Sequence, residues 1–244
     1  MRMVRLRWVV IWSLAAAGLF LGSAVLQFIA SLQRWVFSDS QARNGVSADD
    51  HLFDYSFPRD PWENIGTAAQ FFGAGTLVLA LGVLAMAVGV VAMPSAGARP
   101  GIVIIVAFAV IELALALLVA GGLGINGAHA LLSGMTGVPS SLKDSGALGW
   151  SGMYWLIILG GCWLRRSQAA AVACLFLIGA TELGYVVAAF MIAPIFAGGI
   201  SYDTTRWTET VVAASTAAAG VAMLLAARAT ARRNAPSAVH AHLA

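Results

Sequence analysis

Six runs of apolar residues, separated by charged residues, prolines and short polar segments, dominate the pattern along the chain. Each run is long enough, or nearly long enough, to cross the roughly 30 Å of hydrocarbon in a bilayer at 1.5 Å of helical rise per residue. A segment in lipid must satisfy its own backbone hydrogen bonds, so each run is expected to be a helix. The pattern predicts an all-α, polytopic integral membrane protein, with one six-helix domain over residues 1–233 and a polar tail over 234–244. The predicted spans are about 8–32, 65–93, 101–125, 148–164, 169–192 and 207–227.

The composition fits a membrane protein and excludes several soluble classes. Hydrophobic residues make up 60% of the 244 residues, only 10% are charged, and the mean hydropathy is +0.84. A soluble domain carries about 25% charged residues, which it needs to cover its surface. A soluble enzyme and a disordered chain are therefore excluded. The chain has no dense run of Lys or Arg, so nucleic acid is not an expected partner.

The basic residues are sorted between the two sides of the predicted bundle. If the N-terminus is cytoplasmic, nine of the 14 basic residues fall on the inner side and five on the outer side. The inner connections contain no acid, whereas eight acids lie in the outer loops. The longest outer loop covers residues 33–64. Because Lys and Arg collect in cytoplasmic loops, the pattern predicts a plasma-membrane protein with both termini in the cytoplasm.

Two glutamates, Glu112 and Glu182, lie near the middle of predicted spans. Their positions correspond to about 16 and 18 Å of helical rise from the inner side, which places them at the same depth. An acid at the bilayer centre costs roughly 2.5–3.5 kcal/mol, so each should face the bundle interior, a cavity or a partner. No Lys or Arg occurs in the middle of a span to neutralise them. The two carboxyls are predicted to form a proton or cation site, with Thr181 and Tyr185 close to Glu182.

The alternative for these acids is structural. A protonated glutamate can hydrogen-bond a neighbouring helix and so hold two spans together. Thr181 and Tyr185 would then be the local partners of Glu182. Gln27 and Gln70, in the outer parts of the first and second spans, are further candidates for such hydrogen bonds.

Two further patterns concern the packing of the spans. The triplets centred on Glu112 and Glu182 are similar and 70 residues apart. Such spacing fits either a duplicated hairpin, related by an axis normal to the membrane, or chance similarity between helices of like composition. Small residues spaced by four also predict close helix contacts. These pairs are Gly18 with Gly22, Ala85 with Gly89, and Thr216 with Gly220.

The outer segment over residues 54–64 is the most distinctive string of the chain. Asp60 and Pro61 fit the N-cap and first position of a helix, so the second helix is predicted to start there. The segment is interpreted either as a lid or docking surface, or as a solvated connector with a tryptophan anchored at the outer interface. The candidates for contact are Arg59, Asp60, Trp62 and Glu63.

Other polar residues suggest structural roles. Glu209 is expected at the outer start of the last helix, where a negative charge is favoured, and His129 is expected in an outer loop. Asp49, Asp50, His51 and Asp54 match no zinc pattern, so no metal is predicted. No cofactor is predicted either, because nucleotide, haem and protease motifs do not occur in the sequence.

Three classes of function remain. The first is a small transporter or permease with Glu112 and Glu182 as a proton or cation site. The second is a non-catalytic subunit of a larger membrane complex. The third is an intramembrane enzyme that uses the two carboxyls as general acid and base on a lipophilic substrate. The expected partners are the lipid bilayer and, for the second class, other membrane subunits or further copies of the chain.

Overall fold

A computed structural model describes residues 2–37, 52–93, 101–142, 147–197 and 204–232. Within these ranges the chain is mostly helical and contains no strand, which confirms the predicted all-α class. Four helices are long and apolar enough to cross a membrane, and a bent pair over Gln168–Ala180 and Glu182–Ala197 makes a fifth if the pair is one span. The helices are α1 (Arg2–Leu32), α2 (Ala68–Val91), α3 (Ile102–Thr136), α4 (Ala147–Trp163), α5 (Gln168–Leu177), α6 (Glu182–Val187), α7 (Ala193–Ala197) and α8 (Thr208–Arg232).

The long helices pack side by side in a closed ring. Going around it, α1 contacts α2, α2 contacts α3, α3 contacts α4, α4 contacts α5, α5 contacts α8, and α8 returns to α1. We call the end of the ring where α1 begins the N-terminal end. The opposite end, where residues 52–67 fold against the helices, is the loop end, and those residues are the lid.

The middle of the ring is filled by one apolar core to which all six of these helices contribute. Large buried side chains include Phe20, Met86, Leu159, Trp163 and Met223. A second cluster at the loop end joins lid residues to α2 and α3. In it Tyr55 is fully buried and Trp62 is 9% exposed. The lid is therefore packed against the helices through these side chains, so residues 54–64 are only in part the solvated connector of the second interpretation.

Several predicted helix boundaries are also wrong. The second helix begins at Ala68 rather than at Pro61, because residues of the intervening turn pack into the lid cluster. The third span continues beyond residue 125 to Thr136, where Gly137 at φ 76° ends the helix in the left-handed conformation. His129 therefore lies in α3 and not in a loop.

Glycine contacts between helices follow the prediction only in part. Gly89 and Gly220 lie at helix contacts as predicted: an added Cβ would lie 3.2 Å from Trp12 Cβ at Gly89 and 2.8 Å from Leu21 Cγ at Gly220. Gly18 and Gly22 are exposed, with nothing within 4 Å of an added Cβ, so the prediction for this pair is wrong. They fall on the side of α1 that faces away from both α2 and α8. A spacing of four residues places two glycines on one face without indicating which face is packed.

Candidate functional site

The site predicted around Glu182 lies at a break in the fifth helical rod. Following α5, a short 3₁₀ turn over Ile178–Ala180 leads to Thr181, whose backbone is extended, and α6 then begins at Glu182. The two parts of the rod are bent by 72°. The predicted continuous helix over 169–192 is therefore wrong. Irregular backbone at membrane depth is stable only where protein or a water-filled cavity surrounds it.

Local sequence explains the geometry of the break. The hydroxyl of Thr181 donates to the carbonyl of Ile178 at 2.7 Å and accepts from the backbone N–H of Gly184 at 3.2 Å. It thus ends one helical segment and caps the next, as threonine commonly does at an N-cap. An added Cβ at Gly184 would overlap the backbone of Ile178, so this position requires glycine.

Two small cavities lie against the break and share part of their walls. The first is lined by Glu182 together with residues of α3 and α4. The second lies within the ring and is lined by Gln27, Phe57, Tyr185 and residues of α2 and α8. Both cavities include Asn126, Ala180 and Thr181 in their walls. Three of the predicted site residues, Thr181, Glu182 and Tyr185, are therefore brought together at one place.

Glu112 does not belong to this place. Its carboxylate pairs with the guanidinium of Arg166, Oε2 to Nη1 at 2.6 Å, and the glutamate side chain is only 2% exposed. The cavity beside Glu182 touches α3 between Val119 and Asn126, which is about 10–21 Å further along the helix axis. The predictions of equal depth and of one convergent site are wrong.

Arg166 also corrects the prediction that no basic residue could neutralise the acids. It lies in the turn after α4, and its long side chain reaches the buried carboxylate of Glu112. The 70-residue similarity does not extend to these contacts. Glu112 is paired within a continuous helix, whereas Glu182 is the first residue after a break.

The lid covers the loop end of the second cavity. The ring of Phe57 packs edge-on against Tyr185, with 5.5 Å between ring centroids. Nε2 of His129 lies 3.0 Å from the carbonyl oxygen of Pro58, and the side-chain amide of Asn64 donates to the carbonyl of Gly134 at 3.1 Å. These contacts hold the lid onto α3.

The predicted contact residues of the lid have different environments. Arg59, Asp60 and Glu63 are exposed, whereas Trp62 is buried in the lid cluster instead of anchoring at an interface. Arg59 is near enough to Glu182 to attract its carboxylate electrostatically.

A buried ion pair at the loop end was missed by the sequence analysis. Nη1 of Arg34 lies 2.7 Å from Oε1 of Glu209, and the two side chains are 3% and 2% exposed. The indole of Trp35 donates to Oε2 at 2.6 Å, and the hydroxyl of Tyr185 donates to Oε1 at 3.3 Å. Asp54 of the lid lies 3.8 Å from Arg34. Glu209 does lie in the first turn of α8 as predicted, but its carboxylate joins α8 to the π-helical turn over Gln33–Phe37, which directly follows α1.

Tyr55 of the lid lies beside this ion pair. Burial raises the pKa of Tyr55 well above its ordinary value, and the nearby carboxylate of Glu209 raises it further. The phenol is therefore neutral at physiological pH. Its hydroxyl has no hydrogen-bond partner among the described residues.

A metal site receives no support from the described ranges, where no three His, Cys, Asp or Glu side chains lie together. Asp49, Asp50 and His51 lie outside the described residues. The chain matches no family model, no curated protein and no solved structure. A functional assignment therefore depends on the geometry of the site.

Proposed function

We propose that this protein is a small transporter or permease whose proton or cation site is Glu182, at the break in the fifth span. The observation that supports this most is the coincidence of a broken helix, an acid at the break and two adjoining cavities. In membrane transporters, discontinuous helices supply backbone groups for ions and substrates near the bilayer midplane. Acids within spans commonly mark proton or ion pathways.

The surrounding residues would have separate roles in such a transporter. Glu182 takes up the proton or cation, and Arg59 of the lid competes for the same carboxylate. Phe57 and Tyr185 close the second cavity toward the loop end, and the Arg34–Glu209 pair fixes Tyr185. Access from the loop end would then require movement of the lid.

The proposed topology has six spans with both termini in the cytoplasm. α4 is shorter than α1, α2, α3 and α8, but it fills the place in the ring between α3 and α5. A reporter fused after Ala244 is expected to be active on the cytoplasmic side, and one inserted near Asp49 on the external side. An external C-terminus would contradict the six-span arrangement.

The two glutamates provide a matched test of the function. Glu182→Gln should abolish proton- or cation-linked flux into liposomes while the protein remains folded, because glutamine keeps the hydrogen-bonding capacity and removes only the charge. Glu112→Gln should retain that flux, since Glu112 pairs with Arg166 away from both cavities. Ion-driven flux and thermal stability are measured for both variants. Full flux in folded Glu182→Gln would contradict the proposal.

A second candidate function is a subunit of a larger membrane complex. It is favoured by the first ten residues of α3, Ile102–Ile111, which are apolar and almost all exposed around the whole helix. The helices α2 and α3 pack antiparallel, so the start of α3 lies near the C-terminal end of α2. Residues Ile102–Ile111 extend beyond that end. An intramembrane enzyme with paired carboxyls is not proposed, because Glu112 and Glu182 lie apart.

A further inference from the structure

The side-chain amide of Gln27 is a buried polar group in the wall of the second cavity. It lies on α1 and is 2% exposed. Its Nε2 donates to Ser23 Oγ at 2.9 Å, one helical turn earlier. Its Oε1 has no hydrogen-bond partner among the described residues. A buried acceptor without a partner costs about 1–3 kcal/mol, so a ligand that supplies positive charge or a donor would stabilise it.

The surroundings of the cavity favour positive charge. Gly179 and Ala180 line it at the end of the segment that begins with α5, and the carbonyl end of a helix carries partial negative charge. Asn126 and Thr181 add side-chain oxygens and also line the cavity beside Glu182. Among the described residues, no Lys, Arg or His lines either cavity. Arg59, in the lid, is the basic residue that attracts Glu182 electrostatically.

We infer that the second cavity binds a small monovalent cation of the size of Na⁺, with Gln27 Oε1 and the oxygens of the helix break as ligands and Glu182 as the balancing charge. The inference rests on the proposed function and names its ion. Hard cations prefer oxygen ligands, and divalent ions are usually held by several carboxylates, whereas a single carboxylate adjoins this site. The space is about that of one water molecule, which excludes an organic cation.

The test uses the full chain purified in detergent. Equilibrium binding of radioactive Na⁺ is measured at constant ionic strength, with choline as the replacement cation. We expect saturable binding of Na⁺ by the wild type and a rise in Tm with Na⁺ that choline does not produce. Gln27→Leu should weaken binding at least about tenfold, because it removes a ligand. Its Tm without Na⁺ should be unchanged or higher, since the unpartnered acceptor is gone.

Two further variants separate binding from folding. Gln27→Glu keeps an oxygen ligand and adds negative charge, so it should bind Na⁺ at least as well as the wild type. Ser13→Ala removes another buried hydroxyl without a described partner, on the same helix but in neither cavity, and should leave Na⁺ binding unchanged. Equal binding by Gln27→Leu and the wild type would overturn the inference.

The results also separate this inference from the proposed function. Glu182-dependent flux driven by protons, without saturable Na⁺ binding, would overturn the Na⁺ site and leave the transporter proposal intact. Na⁺ binding that is lost in Gln27→Leu, without any ion-linked flux, would support the site and refute transport. An equal rise in Tm with Na⁺ and with choline would show that the stabilisation is a general salt effect, and it would overturn the Na⁺ site.

Discussion

Replacing Arg34 with Met should destabilise the folded protein by about 3–5 kcal/mol. The substitution keeps most of the apolar side chain but leaves the carboxylate of Glu209 buried without its cation. Removal of one member of a buried ion pair is costly because the remaining charge cannot regain its hydration. The measurement is unfolding of the purified protein in detergent, followed by tryptophan fluorescence and by loss of the monodisperse size-exclusion peak.

A double variant and an exposed control make this prediction specific. Arg34→Met combined with Glu209→Gln should cost less than the sum of the two single changes, because the double variant removes the buried charge of Glu209 together with that of its partner. Arg206→Met, at the same end, removes an exposed guanidinium that donates to the carbonyl of Trp35 at 3.2 Å. It should cost less than about 1 kcal/mol. A loss for Arg34→Met no larger than for Arg206→Met would refute the structural role of the buried pair.

The buried pair also connects stability to the candidate site. Glu209 accepts from the hydroxyl of Tyr185, which is three residues after Glu182 and lines the second cavity. Arg34 lies 3.8 Å from Asp54 of the lid. One cluster thus holds the ends of α1 and α8, the lid and the helix after the break. A variant of Arg34 should therefore loosen the loop end of the cavity as well as lower stability.

The arrangement of helices could be predicted from the sequence to the extent that apolar runs determine it. The observed α4, Ala147–Trp163, agrees closely with the predicted span over 148–164, because charged or polar segments bound the run on both sides. The extension of α3 past Asn126 was missed because the residues that follow Asn126 are less apolar. They are nevertheless helical and pack against α2. The break at Thr181 was missed because Gly179 and Ala180 lie within an apolar run, so hydropathy does not distinguish them from helix.

The site could be predicted where its residues are neighbours in sequence. Thr181, Glu182 and Tyr185 lie within one turn of each other, and their grouping follows from helical spacing. The pairs Glu112–Arg166 and Arg34–Glu209 join residues 54 and 175 positions apart. Their formation depends on which helices are neighbours in the ring, which the hydropathy pattern does not indicate. The sequence did contain one signal for the Arg34–Glu209 pair. Arg34 closely follows the first span and Glu209 begins the last, so opposite charges stand at the ends of two spans.

The other large effect is expected at Gly73, where α2 and α3 approach at backbone distance. An added Cβ there would lie 2.6 Å from the carbonyl oxygen of Gly127, and it would also meet the backbone of Leu131. Backbone atoms cannot move aside as a flexible side chain can, so the helices must separate. Gly73→Ala is expected to cost about 1–3 kcal/mol, despite the roughly 1 kcal/mol that alanine gains in helix propensity.

Gly18→Ala is the matched control for this prediction. Nothing lies within 4 Å of an added Cβ at Gly18, so its thermal stability in detergent should be unchanged or higher. Equal thermal stability of the two variants would refute the close approach of α2 and α3.

Asn126 directly precedes Gly127 and lies in the wall of both cavities. Separation of the helices at Gly73 should therefore displace Asn126, and Gly73→Ala should also reduce ion-linked flux, whereas Gly18→Ala should not.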